Sequence, residues 1–417
     1  MNRSSPETQQ TRFDQADTRL RRDEGIAGAL RGFVDRARSG DLGMLPVIFG
    51  LLLISVVFTS INPVFIAPNN LVNLLFDAAA VGLIALGVVC VLLLGEIDLS
   101  IGSMSGLASA IVGVLWVNSG MPLPIGIGAA LATGVLMGCV YGFLLNRFGM
   151  PSFVSTLAGL LALLGFQLYI LGPSGSINLP YASPLVRFGQ ILIMPDWFSY
   201  TVAIVPGILI VLSGLRTIRQ RAAANLSPGS LSVVLAKAGV LTAALLLAAY
   251  YLNQGRGVPW MFGLFVLLVM IMHYAFTRTK WGRSMFAVGG NAEAARRSGI
   301  NVKRIRLSAF ILCSTFAAAG GVLAAARLAS SSQQAGAGDV NLNAIAAAVI
   351  GGTSLFGGRG SAWSALLGVL VIQAISNGLT LLNLSSSLRY MITGGVLAIA
   401  VIVDSLARQS RASHGRA

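Results

Sequence analysis

The sequence predicts an all-α membrane protein, a polytopic helical bundle of about 10–12 transmembrane helices. Three observations predict it. First, 55% of the 417 residues are hydrophobic and only 10% charged, with a mean hydropathy of +0.79. A soluble chain carries about 25% charged residues, so this one cannot clothe a globular surface in water-compatible groups. Second, the apolar residues fall into long runs of membrane-crossing length. Third, the basic residues that produce a net charge of +15 are confined to the tails and to short connections between those runs.

A spanning helix needs about 20 mostly apolar residues. Runs that meet this are 45–61, 71–94, 99–117, 122–146, 153–172, 197–215, 233–252, 259–276, 307–328, 361–383 and 389–407. A shorter glycine-rich run, 341–357, either crosses or dips in and is completed by the next segment. Charge sets the orientation. The connection 277–306 carries eight basic residues (Arg278, Lys280, Arg283, Arg296, Arg297, Lys303, Arg304, Arg306) against one acid, Glu293. Arg216, Arg219 and Arg221 follow run 197–215, and Arg408, Arg411 and Arg416 close the chain, whereas 173–195 holds only Arg187. Basic loops stay on the cytoplasmic side, which puts both termini in the cytoplasm of a multi-pass protein of the bacterial inner membrane. An even number of crossings follows, and with eleven clear runs the parity argues either that 341–357 crosses or that one of the other candidates does not. The organisation expected is a cytoplasmic tail over 1–44, a transmembrane domain over 45–407 and a short cytoplasmic tail over 408–417.

The same pattern excludes other classes. No basic surface is interleaved with aromatics, so nucleic acid is not an expected partner; membrane lipid is. Cys90, Cys139 and Cys313 sit inside separate apolar runs and read as small core residues. His273 and His414 are isolated, so no metal site is expected. The first apolar run begins at Leu45, and no secretory signal peptide is expected. Within 1–44, eight arginines face seven acids. Ile26, Leu30, Phe33, Val34 and Ala37 share a helical face opposite Arg31, Arg36 and Arg38: either an interfacial helix or a solvated tail with incidental periodicity.

Two polar interruptions stand out within the apolar runs. Gly95-Glu96-Ile97-Asp98-Leu99-Ser100-Ile101-Gly102-Ser103 places two carboxylates between runs 71–94 and 99–117. Intramembrane charge costs about 2.5 kcal/mol or more and faces a cavity or partner. Glycines permit an unwound stretch, tolerated at depth where it lines protein or water. Glu96, Asp98, Ser100 and Ser103 are therefore candidates for a translocation path, since carboxylates and hydroxyls match sugar hydroxyls. The alternative is a turn in which Asp98 caps the next helix. The second interruption, Gly351-Gly352-Thr353-Ser354 with Gly357, Gly358 and Gly360, weakly echoes the first and allows a broken helix beside the path. Gln373 and Asn377, four apart on one face, either donate hydrogen bonds to a solute or tie helices together.

The connection 277–306 holds the most specific signal: Lys280-Trp281-Gly282-Arg283-Ser284, then Ala287-Val288-Gly289-Gly290-Asn291, then Glu293-Ala294-Ala295-Arg296-Arg297-Ser298-Gly299-Ile300. Asn291 can cap a short helix that Glu293 favours through the helix dipole and Gly299 ends. So short a helix is unstable alone and reads as a docking peg.

That Glu-Ala-Ala-x-x-x-Gly order resembles the coupling loop of ATP-binding-cassette importer permeases, although the usual downstream Leu-Pro is absent. With Gly-Glu-Ile-Asp-Leu-Ser-Ile-Gly-Ser, Ala-Val-Gly-Gly-Asn and Val-Ile-Gly-Gly-Thr-Ser-Leu, the chain resembles the ribose/xylose-type monosaccharide permease family over about 45–407. The extra apolar pair within 197–252 and Met150-Pro151-Ser152-Phe153-Val154-Ser155-Thr156-Leu157-Ala158-Gly159 look most like its D-xylose branch. The resemblance implies import of a monosaccharide, with D-xylose first, delivered by a periplasmic sugar-binding protein. It implies a second copy of this chain, and a separate ATPase subunit docking on Asn291, Glu293, Ala294, Ala295 and Gly299. None of Lys237, Lys280 and Lys303 lies in a phosphate-cradling Gly-x-x-x-x-Gly-Lys-Ser/Thr loop. ATP and Mg are therefore expected on the partner, with no cofactor on this chain. The alternative is an ion-coupled secondary sugar transporter using Glu96 and Asp98, which leaves the docking helix unexplained. No catalytic constellation supports an enzyme.

Overall fold

The computed structural model describes residues 44–402 apart from 228, 386, 396, 397, 400 and 401, together with Gly25 and Gly28. The amphipathic stretch expected within 26–37, the last apolar run beyond 402 and the tail 408–417 lie outside the described residues, Gly28 excepted. In chain order the helices are α1 (Leu45–Ile61), α2 (Pro68–Leu92), α3 (Ile101–Val112), α4 (Leu123–Phe148), α5 (Ser152–Leu171), α6 (Pro184–Gln190), α7 (Asp196–Ala223), α8 (Leu231–Asn253), α9 (Trp260–Arg278), α10 (Lys280–Gly290), α11 (Ala292–Arg297), α12 (Val302–Leu328), α13 (Val340–Ile350) and α14 (Ala362–Leu381). Residues 387–395 are also helical. The expected all-α bundle is present. Among the described residues it is joined by a ribbon of two three-residue strands, β1 (Ser176–Asn178) and β2 (Ser330–Ser332), antiparallel with Ile177 opposite Ser331.

Nine helices among the described residues are long and apolar enough to cross a membrane, and α1, with 17 apolar residues, reaches the lower limit. The run 341–357 departs from a spanning helix. It stops at Ile350 after 11 residues, about 16 Å of rise and half a hydrocarbon thickness. Gly352, Gly357, Gly358 and Gly360 then take positive φ, which no continuing helix accepts.

The chain divides into two compact units. One, within the described residues, is 194–257: the α7–α8 hairpin, the extra apolar pair of the sequence. Asn253 Nδ2 donates to Ser199 Oγ at 3.0 Å across it, and Arg221 Nε donates to the Ser227 carbonyl at the turn. Most of its large apolar side chains point outward, among them Ile208, Leu209, Leu235 and Leu247. An outward apolar face needs an apolar solvent.

The other unit contains the remaining helices. α2 is its axis, with 17 of 25 residues buried. α12 lies antiparallel beside it: Gly87 of α2 meets Cys313, Gly320 of α12 meets Ala80 and Ile84, and Arg327 meets Asp77. On the far side of α12, Gly134, Gly138 and Gly142 of α4 stand one turn apart and admit the α12 backbone at Ser314, Ile311 and Leu307. With little hydrophobic drive between helices in lipid, such close van der Waals approach holds them together. Outward positions such as Leu136, Phe143, Leu161 and Phe166 are exposed and apolar.

Candidate functional site: two helix breaks clasped to a docking helix

The first break follows α2. Residues 96–100 run extended along the start of α5. The Ile97 N–H donates to Ser152 Oγ at 3.3 Å and the Leu99 N–H to Thr156 Oγ1 at 3.1 Å. The match is geometric: hydroxyls four apart on a helix are spaced about 6 Å, close to the repeat of alternate residues in an extended chain, about 6.6 Å. Alternation turns Asp98 to the opposite side, where it is 2% exposed. Its Oδ1 accepts from Ser100 N–H at 2.8 Å and Ser100 Oγ at 2.7 Å, so the carboxylate closes a tight turn onto the residue that precedes α3. Glu96 instead pairs with Arg306 at 3.2 Å. Ser100 and Ser103 are buried.

The chain is irregular before α13 as well. From the ribbon, residues 333–339 descend along α3. Ser331 Oγ donates to the Ser109 carbonyl at 2.7 Å, and Gln167 Nε2 of α5 donates to the carbonyls of Ser332 and Ala335, both at 3.0 Å. The descent ends where the Gly102 N–H of α3 donates to Asn341 Oδ1. The N-termini of α3 and α13 thus meet inside the bundle, with Asp98 at one and Asp339 at the other. Acidic groups there complement the dipoles. The passage from the ribbon to the α10–α11 end is therefore completed by an irregular stretch plus a half-length helix. The helix expected within 341–357 is half-length, ending at Ile350.

The second break follows α13, over 351–360: Gly351 packs on the Ser364 carbonyl and Thr353 and Ser354 are buried. The Gly358 N–H donates to the Leu93 carbonyl at 2.9 Å, joining the second break to the first. A third segment closes the contact, the end of α10. A Cβ at Gly357 would lie 2.8 Å from the Gly289 carbonyl oxygen, and one at Gly95 3.2 Å from that of Phe356. Backbones approach this closely only without side chains. Three glycine-bearing segments, Leu93–Gly95, Gly289–Gly290 and Phe356–Gly358, form one clasp.

α11 hangs directly from it. Asn291 Oδ1 accepts from the N–H groups of Glu293 and Ala294 at 3.0 and 2.9 Å. Glu293 pairs with Arg296 at 2.8 Å and Arg297 at 3.6 Å. Gly299 ends the helix at φ 85°, with Ile300 N–H donating to the Ala295 carbonyl at 3.0 Å. This is the capped helix expected from Asn291, Glu293 and Gly299. Ala295 is its buried residue. The connection 277–306 is mostly helical, and Trp281 Nε1 anchors α10 by donating to Ser308 Oγ at 2.8 Å.

Gln373 is half-buried on α14. Asn377 exchanges hydrogen bonds with Asn70 of α2 at 2.8 and 3.0 Å. Three features carry no motif. Asp77 of α2 pairs with Arg327 of α12 at 2.8 Å; its signal is a lone carboxylate in the run 71–94. Gln167 is fully buried, and its signal is a lone amide in the run 153–172. Asp339, Asn343, Ser376 and Arg389 line a recess together, a cluster that no spacing along the chain announces.

A membrane bundle with broken helices clasped to a capped terminal peg defines a transport permease. The chain belongs to the permease family described as branched-chain amino acid transport system / permease component, which matches residues 70–401. The particular likeness is to sugar permeases. The xylose transport system permease protein XylH of Escherichia coli K12 is 36% identical over 383 residues, covering 89% of this chain and 94% of the relative. Its Haemophilus influenzae counterpart is 34% identical, covering 82% and 90%. The ribose import permease protein RbsC of E. coli K12 is 29% identical, covering 86% and 92%. The resemblance to ribose/xylose-type permeases is borne out. No solved structure matches.

Proposed function

We propose that this chain is the membrane subunit of an ATP-binding-cassette importer for a monosaccharide, D-xylose. Two copies form the path in the inner membrane, with both termini cytoplasmic. A separate ATPase docks at Asn291, Glu293, Ala294, Ala295 and Gly299, and a sugar-loaded periplasmic binding protein sits on the opposite face. ATP and Mg act on the ATPase. The observation that carries the reading is the suspension of α11 from the clasp that joins both helix breaks. A push on α11 reaches Leu93–Gly95 and Phe356–Gly358 without an intervening flexible link. The breaks then re-aim the residues around them, among them Glu96, Asp98, Ser100, Ser103, Gly351, Gly352, Thr353, Ser354, Gln373 and Asn377, and so alternate access to the path. Nothing in the fold or in the relatives favours the ion-coupled alternative.

The test is sugar-stimulated ATP hydrolysis in proteoliposomes containing this chain, its ATPase and its binding protein. Stimulation by D-xylose that disappears without this chain supports the reading; hydrolysis indifferent to sugar rejects it. Two variants refine it. Glu293→Gln and Gly299→Val are each expected to lower uptake about fivefold, roughly 1 kcal/mol of coupling, while the bundle keeps its melting temperature. Wild-type uptake in both removes α11 from the coupling. Glu96→Gln combined with Asp98→Asn is expected to lower uptake by a similar factor, about fivefold. Unchanged uptake removes both carboxylates from the path.

A further inference from the structure

The recess lined by Asp339, Asn343, Ser376, Leu379, Arg389 and Tyr390 plays no part in the clasp. It lies at the start of α13, against α14 and the helical residues 387–395. Asn343 is nine-tenths buried. Its Nδ2 donates to Asp339 Oδ2 at 3.1 Å, which orients the amide and leaves Oδ1 buried with no partner among the described residues. An unanswered buried acceptor is costly, so the recess is short of a hydrogen-bond donor. Asp339 adds acceptors, Ser376 a hydroxyl, and Arg389 a guanidinium that donates to Thr380 Oγ1 at 3.2 Å. Leu379 gives the wall an apolar patch.

These groups select by chemistry. One acid and one base share the recess, so an anion meets Asp339 and a cation meets Arg389, and neither gains. A lipid tail leaves Asn343 Oδ1 unanswered. A small neutral molecule bearing several hydroxyls offers donors to Asp339 and Asn343, acceptors to Arg389, and a C–H face to Leu379. Resting on the importer reading above, we propose that this recess is a station for a neutral monosaccharide on the transport path, held chiefly by Asp339, Asn343 and Arg389.

The experiment places a cysteine at the recess. Ser376→Cys is made with Cys139→Ser, since Cys90 and Cys313 are buried and Cys139 is half-buried. The purified permease is alkylated with a maleimide while D-xylose is titrated, with sucrose as the osmotic control. Alkylation is expected to slow by the factor 1 + [L]/Kd, about threefold at twice the dissociation constant, with no slowing by sucrose. Arg389→Gln is expected to weaken the protection about tenfold, the equivalent of about 1.4 kcal/mol. Absent alkylation, or alkylation at a rate indifferent to xylose, overturns the proposal. Wild-type import with its ATPase and binding protein is measured alongside. Failure there rejects the importer reading, whereas successful import without xylose protection of the Ser376→Cys thiol rejects the recess alone.

Discussion

Gly289→Ala is expected to abolish sugar uptake, whereas Gly290→Ala, one residue on, leaves it intact. The two glycines look equivalent in the sequence. In the fold, a Cβ on Gly289 would collide with the Leu93 carbonyl and the Gly358 N–H, the pair whose 2.9 Å hydrogen bond joins the two helix breaks. None of these atoms is the tip of a flexible side chain, so the clash is relieved only by moving backbone. Overpacking costs about 1–3 kcal/mol, and a lost buried hydrogen bond adds about 1 kcal/mol. Together these are as large as the few kcal/mol that separate conformations of a working transporter, enough to lock or empty one of them. A Cβ on Gly290 meets no atom within 4 Å, and alanine is the better helix former by about 0.5–1 kcal/mol. Uptake assays and melting curves on the pair decide the matter. Equal behaviour of the two variants would show that the clasp is incidental.

Gln167→Leu is expected to destabilise the permease by about 2–4 kcal/mol and to cut uptake by more than tenfold. The volume is nearly kept, so the loss isolates the amide. Gln167 is fully buried and its Nε2 donates to the carbonyls of Ser332 and Ala335. Those carbonyls belong to the ribbon's end and the irregular descent 333–339, which has no helix of its own to satisfy them. At membrane depth no water substitutes, so leucine strands the Ala335 carbonyl and takes one of two donors from the Ser332 carbonyl, which also accepts from the Ala335 N–H at 3.0 Å. Gln167→Glu offers a further comparison: it keeps the shape but replaces the donor with an acceptor, and is expected to be at least as damaging. Thermal unfolding in detergent measures the stability, and sugar uptake the consequence. A wild-type melting temperature for Gln167→Leu would mean that the descent is held elsewhere.

The short helix α11 was legible because its determinants are local: Asn291, Glu293 and Gly299 act on backbone within one turn. The two breaks were legible as breaks, since an unbroken helix in lipid has no use for clustered glycines and carries carboxylates only at a cost. Their purpose was not. Whether Asp98 faced a path or capped a helix depends on where Ser152 and Thr156 hold residues 97 and 99, 55 and 57 positions away. Asn377 shared a face with Gln373 in sequence, yet its partner is Asn70, 307 positions away. The run 341–357 was ambiguous for the same reason. An irregular passage through the membrane exists only where other helices answer its polar atoms, and those helices are remote in the chain.

By itself, the sequence determined that this is a multi-helix membrane permease with a short capped helix between its eighth and ninth apolar runs. Hydrophobic run length, charge placement and capping are all read from neighbouring residues, and the bilayer imposes them. Only the tertiary structure decided that the two glycine-rich breaks and the end of α10, from which the capped helix α11 continues, meet at Leu93, Gly289 and Gly358. It also decided that the N-termini of α3 and α13 face each other at Gly102 and Asn341. Those contacts are made largely by backbone atoms brought together from remote parts of the chain. Glycine advertises only that close approach is possible; which backbone approaches is settled by packing.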